Sequence, residues 1–512
     1  MSETTQSFLM SFVEFTAALF IFVIGVLGLI ILIVYIMDVT QTRQAILRNY
    51  PVIGHFRFYF ERLGEFFRQY FFAMDREELP FNRAQRTWVY RASEDANNTV
   101  AFGSTKNLRE IGTVLFVNSA FPTLDKDAVE CVPTTIGKQC KFPYVTDAIF
   151  AISGMSYGAI SKPAVLALSY GAKKAGVWMN TGEGGLSSYH LKGGCDLVFQ
   201  IGTAKNGVSD HNGQLDDGLL REIAAHSEVK MFELKLSQGA KPGKGGILPA
   251  EKVSAEIAKI RNIKEGVVAI SPNRHIDIES NADLLDMINR IREVTGKPTG
   301  FKAVISDASW LDDLFTEIQQ RGQDAAPDFI TVDSADGGTG AAPLPLIDNM
   351  GLPLRESLPM LENKLLEYGL RKRIKVIASG KLITPADVAW ALCLGADFCV
   401  SARGFMFSLG CIQALQCNKN TCPTGITTHN ERLQKGLIPQ SKLDNVADYA
   451  DNVTHEVGII AHSCGVKEPR SLSRQHARIV MGNSLSIRLD ELHCYPANKT
   501  TTTCVVSKSK EG

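Results

Sequence analysis

The sequence predicts an α/β protein built as a (β/α)8 TIM barrel, preceded by one N-terminal transmembrane helix. Three observations carry that expectation. From about residue 146, short apolar runs alternate eight times with stretches of helical periodicity. Polar and glycine-rich clusters fall at the C-terminal ends of the expected strands, where barrels collect their active groups. Phe15 to Met37 (FTAALFIFVIGVLGLIILIVYIM) carries no charge and is long enough to cross a hydrocarbon core. A doubly wound open sheet has the same rhythm, and periodicity alone leaves it open.

In chain order, residues 1–14 form a short N-terminal segment and residues 15–37 the span. Glu3 and Glu14 precede it and no Ala-x-Ala site follows, which argues for an uncleaved anchor over a signal peptide. Arg43, Arg48, Arg57, Arg62 and Arg68 follow the span and no Lys or Arg precedes it. The positive-inside rule then predicts a single-pass protein of the inner (cytoplasmic) membrane with its large C-terminal part in the cytoplasm. In the juxtamembrane segment 38–79, aromatics alternate with charges from Phe56 to Phe72. That pattern suits an amphipathic helix at the headgroups, or equally a helix packed on the domain by its aromatic face. Residues 80–145 read as an extended lead-in with β-like runs at Trp88–Tyr90 and Thr113–Val117.

The barrel is expected over 146–445 and a C-terminal extension over 446–512. Its candidate strands are Ala148–Ser153, Val177–Asn180, Met231–Leu236, Val267–Ser271, Thr299–Val304, Phe329–Asp333, Lys375–Ala378 and Phe398–Ser401. Helices are expected at Lys162–Ala175, Ala250–Arg261, Asn281–Val294, Ser309–Arg321, Glu356–Tyr368 and Thr384–Leu394. The strand ends lead into Ser156–Ala159, Thr181–Gly185, Ser237–Gly246, Ser271–His275, Asp333–Gly340, Ser379–Lys381 and Ala402–Gly404. Glycine there lets backbone N–H groups approach an anion, and the last two loops of a barrel often hold a phosphate. Any one such run is a plain tight turn; so many on one rim indicate a binding face. Lys235 and Lys302 stand on apolar strands, where an unpaired ammonium is costly, so each is expected to meet a cofactor or a carboxylate.

The 54 basic and 54 acidic residues balance, which gives no argument for a nucleic-acid partner. Eleven cysteines, an odd number in a long chain, fit a reducing compartment better than a disulfide framework. Cys411, Cys417 and Cys422 lie within twelve residues, inside the loop 410–425, with Pro423 after the last. Three close thiolates suit an iron–sulfur cluster of three irons, whereas zinc would want a fourth ligand. The plainer alternative is three buried or reducible thiols. No Gly-x-Gly-x-x-Gly follows a strand and no Walker motif occurs, so a built-in nicotinamide site is not expected. A phosphate-bearing cofactor beside an iron–sulfur cluster points instead to flavin mononucleotide (FMN).

From about Ile152 to Asn430 the sequence resembles the FMN-binding central domain of the glutamate synthase large subunit. The resemblance rests on Ser-Tyr-Gly-Ala at 156–159, Thr-Gly-Glu-Gly-Gly at 181–185, the run from Lys235 to Gly246, Ile-Ser-Pro at 270–272, Asp-Gly-Gly-Thr-Gly-Ala at 336–341 and Gly-Cys-Ile-(x)4-Cys-(x)4-Cys-Pro-Thr-Gly at 410–425. It implies an FMN barrel with a [3Fe-4S] cluster that reduces 2-iminoglutarate, formed from 2-oxoglutarate and ammonia, to glutamate. Cys411, Cys417 and Cys422 match the cluster ligands, and Lys235 and Gln238 flavin-side positions. Lys241 and Arg261 match positions that meet substrate carboxylates. Glu183 matches a carboxylate near the flavin; pairing with a lysine or capping a helix would be its structural role.

Ser156, Lys302, Gly337, Gly338, Ser379, Gly380, Ala402 and Arg403 fall on the strands and loops expected to hold FMN and its phosphate. Electrons would come from a ferredoxin, a flavoprotein subunit or the membrane quinone pool. The sequence also departs from the family. A membrane span stands where an amidotransferase domain is expected, the stretch from Val446 is too short for the C-terminal β-helix, and Lys381, Lys244 and Ile247 replace Gly, Glu and Gln. A related keto acid therefore stays open as substrate. So do amine transfer of the N-methylglutamate synthase type and a membrane-tethered electron carrier or redox sensor.

Overall fold

Eight parallel strands close into a ring in the computed structural model, which describes residues 3–42, 44–129, 131–482 and 485–496. The strands are β1 (Phe150–Ile152), β2 (Met179–Asn180), β3 (Leu197–Ile201), β4 (Val229–Lys235), β5 (Thr299–Val304), β6 (Phe329–Asp333), β7 (Lys375–Ser379) and β8 (Phe398–Ser401). Each pairs in parallel with the next, and β8 closes on β1 through Cys399–Phe150, Val400–Ala151 and Ser401–Ile152. Closure removes the open doubly wound sheet from consideration. Arg43 and Cys504 lie outside the described residues, as does the extension from residue 497.

The expected strand set needs correction at two places. Leu197–Ile201 was not expected, yet it is a full barrel strand with all five residues buried. Its glutamine interrupts a short apolar run that shows no alternation, because a parallel strand is covered on both faces. Val267–Ser271, by contrast, is no barrel strand. Only Ala269–Ile270 is extended, pairing antiparallel with Ile247–Leu248 in an excursion between β4 and β5. Val267, Val268 and Ile270 are exposed there, so apolar character did not signal burial.

The helices that follow the strands come close to expectation. Lys162–Ala175, Asn281–Thr295, Ala308–Arg321, Leu354–Glu367 and Pro385–Cys393 are present. Ser161, Ser280, Asp307 and Thr384 cap four of them with side-chain oxygens on backbone N–H groups. The stretch 250–261 divides into a 3-10 turn at Ala250–Lys252 and a helix Ala255–Arg261 capped by Ser254. Trp88–Tyr90 lies in the helix Arg83–Ser93, not in a strand: Arg86, Val89 and Ala92 are buried at helical spacing. Residue 446 falls inside a 25-residue helix, Pro439–Ser463, which packs on Lys162–Ala175 and whose Tyr449 hydroxyl donates to the Ile383 carbonyl at 2.8 Å.

At the N-terminal end of the barrel, the fully buried Asp328 accepts from Arg292 Nε and Arg373 at 3.0 Å each, from Gln139 Nε2 at 2.9 Å and from the Thr299 amide at 2.8 Å. The lead-in thus closes the end opposite the candidate site.

Residues 1–84 form a separate unit. Its helix Glu3–Thr40 contains the expected span, and Ser7–Thr40 is long and apolar enough to cross a membrane. Asp38 then holds the following turn: its carboxylate accepts from the Val52 amide at 2.8 Å and from His55 Nε2 at 2.9 Å. A helix Gly54–Phe67 continues as a π-helical turn, Arg68–Phe72, with Phe56, Tyr59 and Phe60 exposed.

Candidate active site

The C-terminal rim of the barrel gathers ionised side chains that β2, β4, β5 and β6 carry into its mouth. Glu183, three residues past β2, places Oε1 2.9 Å from Nζ of Lys235, the last residue of β4. The Lys235 ammonium also donates to the Gln238 side-chain oxygen. Room for the carboxylate comes from two glycines. A Cβ at Gly202 would stand 2.5 Å from Glu183 Oε2, and one at Gly246 2.6 Å from Oε1. Any side chain at either position would displace the carboxylate.

Burial pushes the Glu183 carboxyl up, but Lys235, Lys241 and Arg261 together outweigh it, and the net shift is downward. Lys241 is pulled down to about 8 by burial, with Glu183 opposing. Its ammonium donates to the Ala341 carbonyl at 2.9 Å, joining the loop after β4 to the loop after β6. Arg261, at the end of its helix, donates to the Tyr157 carbonyl at 3.1 Å and approaches Ser156 Oγ at 3.4 Å. Burial lowers its pKa too, and its Nε, buried, has no protein partner. Three cations therefore surround one carboxylate.

A second group adjoins the first. Lys302 on β5 pairs with Asp333 at the end of β6 at 3.2 Å. Burial opposes its charge, but Asp333 and Glu233 prevail and raise its pKa. The Asp333 carboxylate also accepts from the Ser334 amide at 3.2 Å and from the Gly239 amide at 3.1 Å, the latter linking β6 to the loop after β4. Arg403, following β8, donates to the Asp336 carbonyl, and a Cβ at Gly338 would stand 2.8 Å from its guanidinium carbon. Burial pulls Arg403 down to about 10. Gly380, with φ +140°, leaves 2.2 Å between a would-be Cβ and Ser334 Oγ, so the ends of β6 and β7 meet there. Ser379 ends β7 and Ala402 directly follows β8. The structure thus brings together Ser156, Glu183, Lys235, Gln238, Lys241, Arg261, Lys302, Gly337, Gly338, Ser379, Gly380, Ala402 and Arg403 on one rim.

The cysteine loop follows the helix Arg403–Ser408 and is tied down at Cys411, whose carbonyl accepts from the Tyr90 hydroxyl at 2.6 Å. Burial pushes the Cys411 thiol up to about 12 and that of Cys417 upward. Cys422 moves the other way: burial raises it, but hydrogen bonds from Thr424 and Thr427 outweigh burial. Among the described residues no three His, Cys, Asp or Glu side chains converge as they would on one metal ion. A cluster in which each thiolate binds a different iron does not require that convergence.

Sequence reasoning missed two residues here. Lys252, 2% exposed, donates to the carbonyls of Ala159, Cys417 and Thr427. It belongs to the stretch 250–261 read as one continuous helix, where a lysine looks like a solvated surface residue. His275 holds the end of β4 through Nε2 to the Lys235 carbonyl at 3.0 Å, and burial pulls it down to about 4. Its place in the loop after the mistaken strand Val267–Ser271 was the available signal.

Comparison with known proteins places this architecture. Residues 90–467 match the family described as the conserved region in glutamate synthase. A glutamate synthase large subunit-like protein, YerD, of Bacillus subtilis (strain 168) is 38% identical over 517 residues, covering 93% of this chain and 98% of that protein. The archaeal glutamate synthase [NADPH] of Methanocaldococcus jannaschii is 35% identical over 65% of this chain and 62% of its own length. The ferredoxin-dependent glutamate synthase of Cyanidium caldarium is 32% identical over 67% of this chain but only 22% of its own. Among solved structures, a mandelate oxidase variant with an FMN adduct aligns with a TM-score of 0.45 at 14% identity, over 77% of this chain and 92% of that one. So loose a likeness says nothing of chemistry. With a family match across 378 residues and a relative aligned almost end to end, the chain belongs to the glutamate synthase family.

Proposed function

We propose that the chain is an FMN- and iron–sulfur-dependent oxidoreductase that reduces an imine of a keto dicarboxylate, with 2-iminoglutarate as the leading substrate. The observation that carries this reading is the charge balance around Glu183: Lys235, Lys241 and Arg261 against one carboxylate leave two positive charges in a largely buried pocket. A dicarboxylate supplies the two missing negative charges. Membership of the glutamate synthase family supports it independently.

In this reading Lys241 and Arg261 hold the two carboxylates, and the unpartnered Arg261 Nε offers a donor for one of them. Lys235, oriented by Glu183, and Gln238 stand on the flavin side. Gly337, Gly338, Ser379, Gly380, Ala402 and Arg403 fit a phosphate, since a half-buried guanidinium lies beside backbone stripped of side chains. Cys411, Cys417 and Cys422 would hold a [3Fe-4S] cluster. When bound, FMN supplies hydride and the cluster single electrons. Reducing the imine to the amine consumes a hydride and a proton. The pocket's task is to fix the imine carbon in position and exclude water.

The electron donor is a ferredoxin, a flavoprotein subunit or the quinone pool, and the helix Glu3–Thr40 would anchor the barrel at the cytoplasmic face of the membrane. The test uses the full chain, purified anaerobically in detergent. Flavin and cluster spectra are recorded, the flavin is reduced, and 2-oxoglutarate with ammonium is added. Reoxidation with formation of glutamate is expected; a fully flavin-loaded protein that neither reoxidises nor forms glutamate would refute the reading.

A further inference from the structure

Lys252 is a buried cation without a buried anion. It ends the 3-10 turn Ala250–Lys252, is 2% exposed, and spends its three N–H bonds on main-chain carbonyls: Ala159 at 3.2 Å, Cys417 at 2.7 Å and Thr427 at 2.6 Å. Those bonds satisfy its hydrogens but leave its charge uncompensated, because carbonyls are dipoles. Among the described residues no carboxylate forms an ion pair with it. Every other buried lysine of the rim has such a partner or faces one: Lys205 pairs with Asp277, Lys235 with Glu183, Lys302 with Asp333, and Lys241 faces Glu183. What the ammonium does sit against is the cysteine loop, through the Cys417 carbonyl at 2.7 Å.

An isolated buried charge costs several kcal/mol, so such a residue persists where an anion accompanies it. Neutral thiols provide none. Three thiolates on an iron–sulfur cluster do. The position of the ammonium adds a mechanical role, since it binds the cysteine loop at Cys417 and Thr427 to the loop after β1 at Ala159, whose amide donates to the Ser156 carbonyl at 3.0 Å.

We propose that Lys252 is the built-in countercharge of the iron–sulfur site, raising the reduction potential of the cluster and fastening the cysteine loop to the rim. The proposal rests on the cluster reading given above. A fixed positive charge favours the reduced, more negative cluster, and in a low-dielectric setting the effect is not screened away. Lys252 is thus a positioning and tuning residue; it ligates nothing.

The test compares the full-length wild type with Lys252→Met, which removes charge and donors, and Lys252→Gln, which removes charge but keeps donors. Iron content, the electron paramagnetic resonance signal, the midpoint potential and FMN content are measured on each. Both variants are expected to bind FMN normally. Lys252→Gln should keep its cluster with a more negative potential, its reduced-to-oxidised ratio at fixed potential falling on the order of tenfold, or about 59 mV for one electron. Lys252→Met should show the same shift or lose iron outright. Wild-type iron content and potential in both variants would overturn the proposal, as would loss of FMN and of secondary structure in both, which marks a general strut. A wild type with no cluster refutes the cluster itself and the countercharge with it, an outcome distinct from a normal cluster indifferent to Lys252.

Discussion

Glu183 Oε1 and Lys235 Nζ lie 2.9 Å apart and link the loop after β2 to the end of β4, two strands away in the ring. Because Lys235, Lys241 and Arg261 all act on this carboxylate, its removal exposes three cations to one another. Glu183→Gln is expected to destabilise the protein by about 3 kcal/mol, the cost of leaving a buried charge unpaired. Chemical denaturation at pH 7 measures this. The sign in pH follows from the lowered carboxyl pKa: the stabilisation is present above the ordinary value of 4.5 and is lost as pH falls through the depressed folded value. The variant should therefore lose less stability on acidification than the wild type.

Lys241 supplies a second pH signature. Its folded pKa is about 8 against an ordinary 10.5, so between those values the unfolded chain binds more protons and this residue makes stability rise with pH. Dicarboxylate affinity should run the opposite way, weakening as pH rises through about 8 and the clamp loses its charge. Titration of the FMN spectrum with 2-oxoglutarate at a series of pH values checks this. Lys241→Met should bind roughly tenfold more weakly and lose the pH dependence between 7 and 9, as expected for one charge-assisted contact. An unchanged pH dependence in the variant would assign the titration to another group.

Gly380→Ala places a methyl group 2.2 Å from Ser334 Oγ at a φ of +140°, which L-residues avoid. A cost of about 1–3 kcal/mol is expected, with a lower FMN content because the ends of β6 and β7 are pushed apart. Thermal melting and released-flavin fluorescence report the two effects. Full FMN retention would place the cofactor away from this junction.

If the cluster and flavin sites are as proposed, Cys417→Ser is expected to remove the cluster signal while flavin absorbance persists, since the rim residues around Arg403 lie outside the cysteine loop. A surviving signal would overturn the assignment of Cys417 as a ligand.

Much of this was legible in advance, and the exceptions have physical causes. The barrel rim could be read because lysines on apolar strands and glycines after them are incompatible with ordinary cores: Lys235 and Lys302 were expected to meet a cofactor or a carboxylate, and each pairs with a carboxylate, Glu183 and Asp333. Although the equally buried β6 was read correctly, β3 was missed because Gln200, a polar residue that lies buried against Glu233, breaks its apolar run. Val267–Ser271 filled its place in the count, its apolar residues standing exposed in a small hairpin. Lys252 could not be found from spacing at all. Its three acceptors are main-chain carbonyls from three separate segments, and carbonyls leave no trace in residue type.

The closure of β8 onto β1 bears on how the chain is made. Phe150–Ile152 receives its last neighbour from Phe398–Ser401, about 250 residues later in synthesis. At roughly 5–20 residues per second, that partner emerges tens of seconds after β1 does. Throughout that interval one flank of β1 presents unpaired amides and carbonyls, the kind of edge that recruits stray strands. Guarding a nascent edge until the ring can shut is therefore a demand this fold places on the cell before any electron moves.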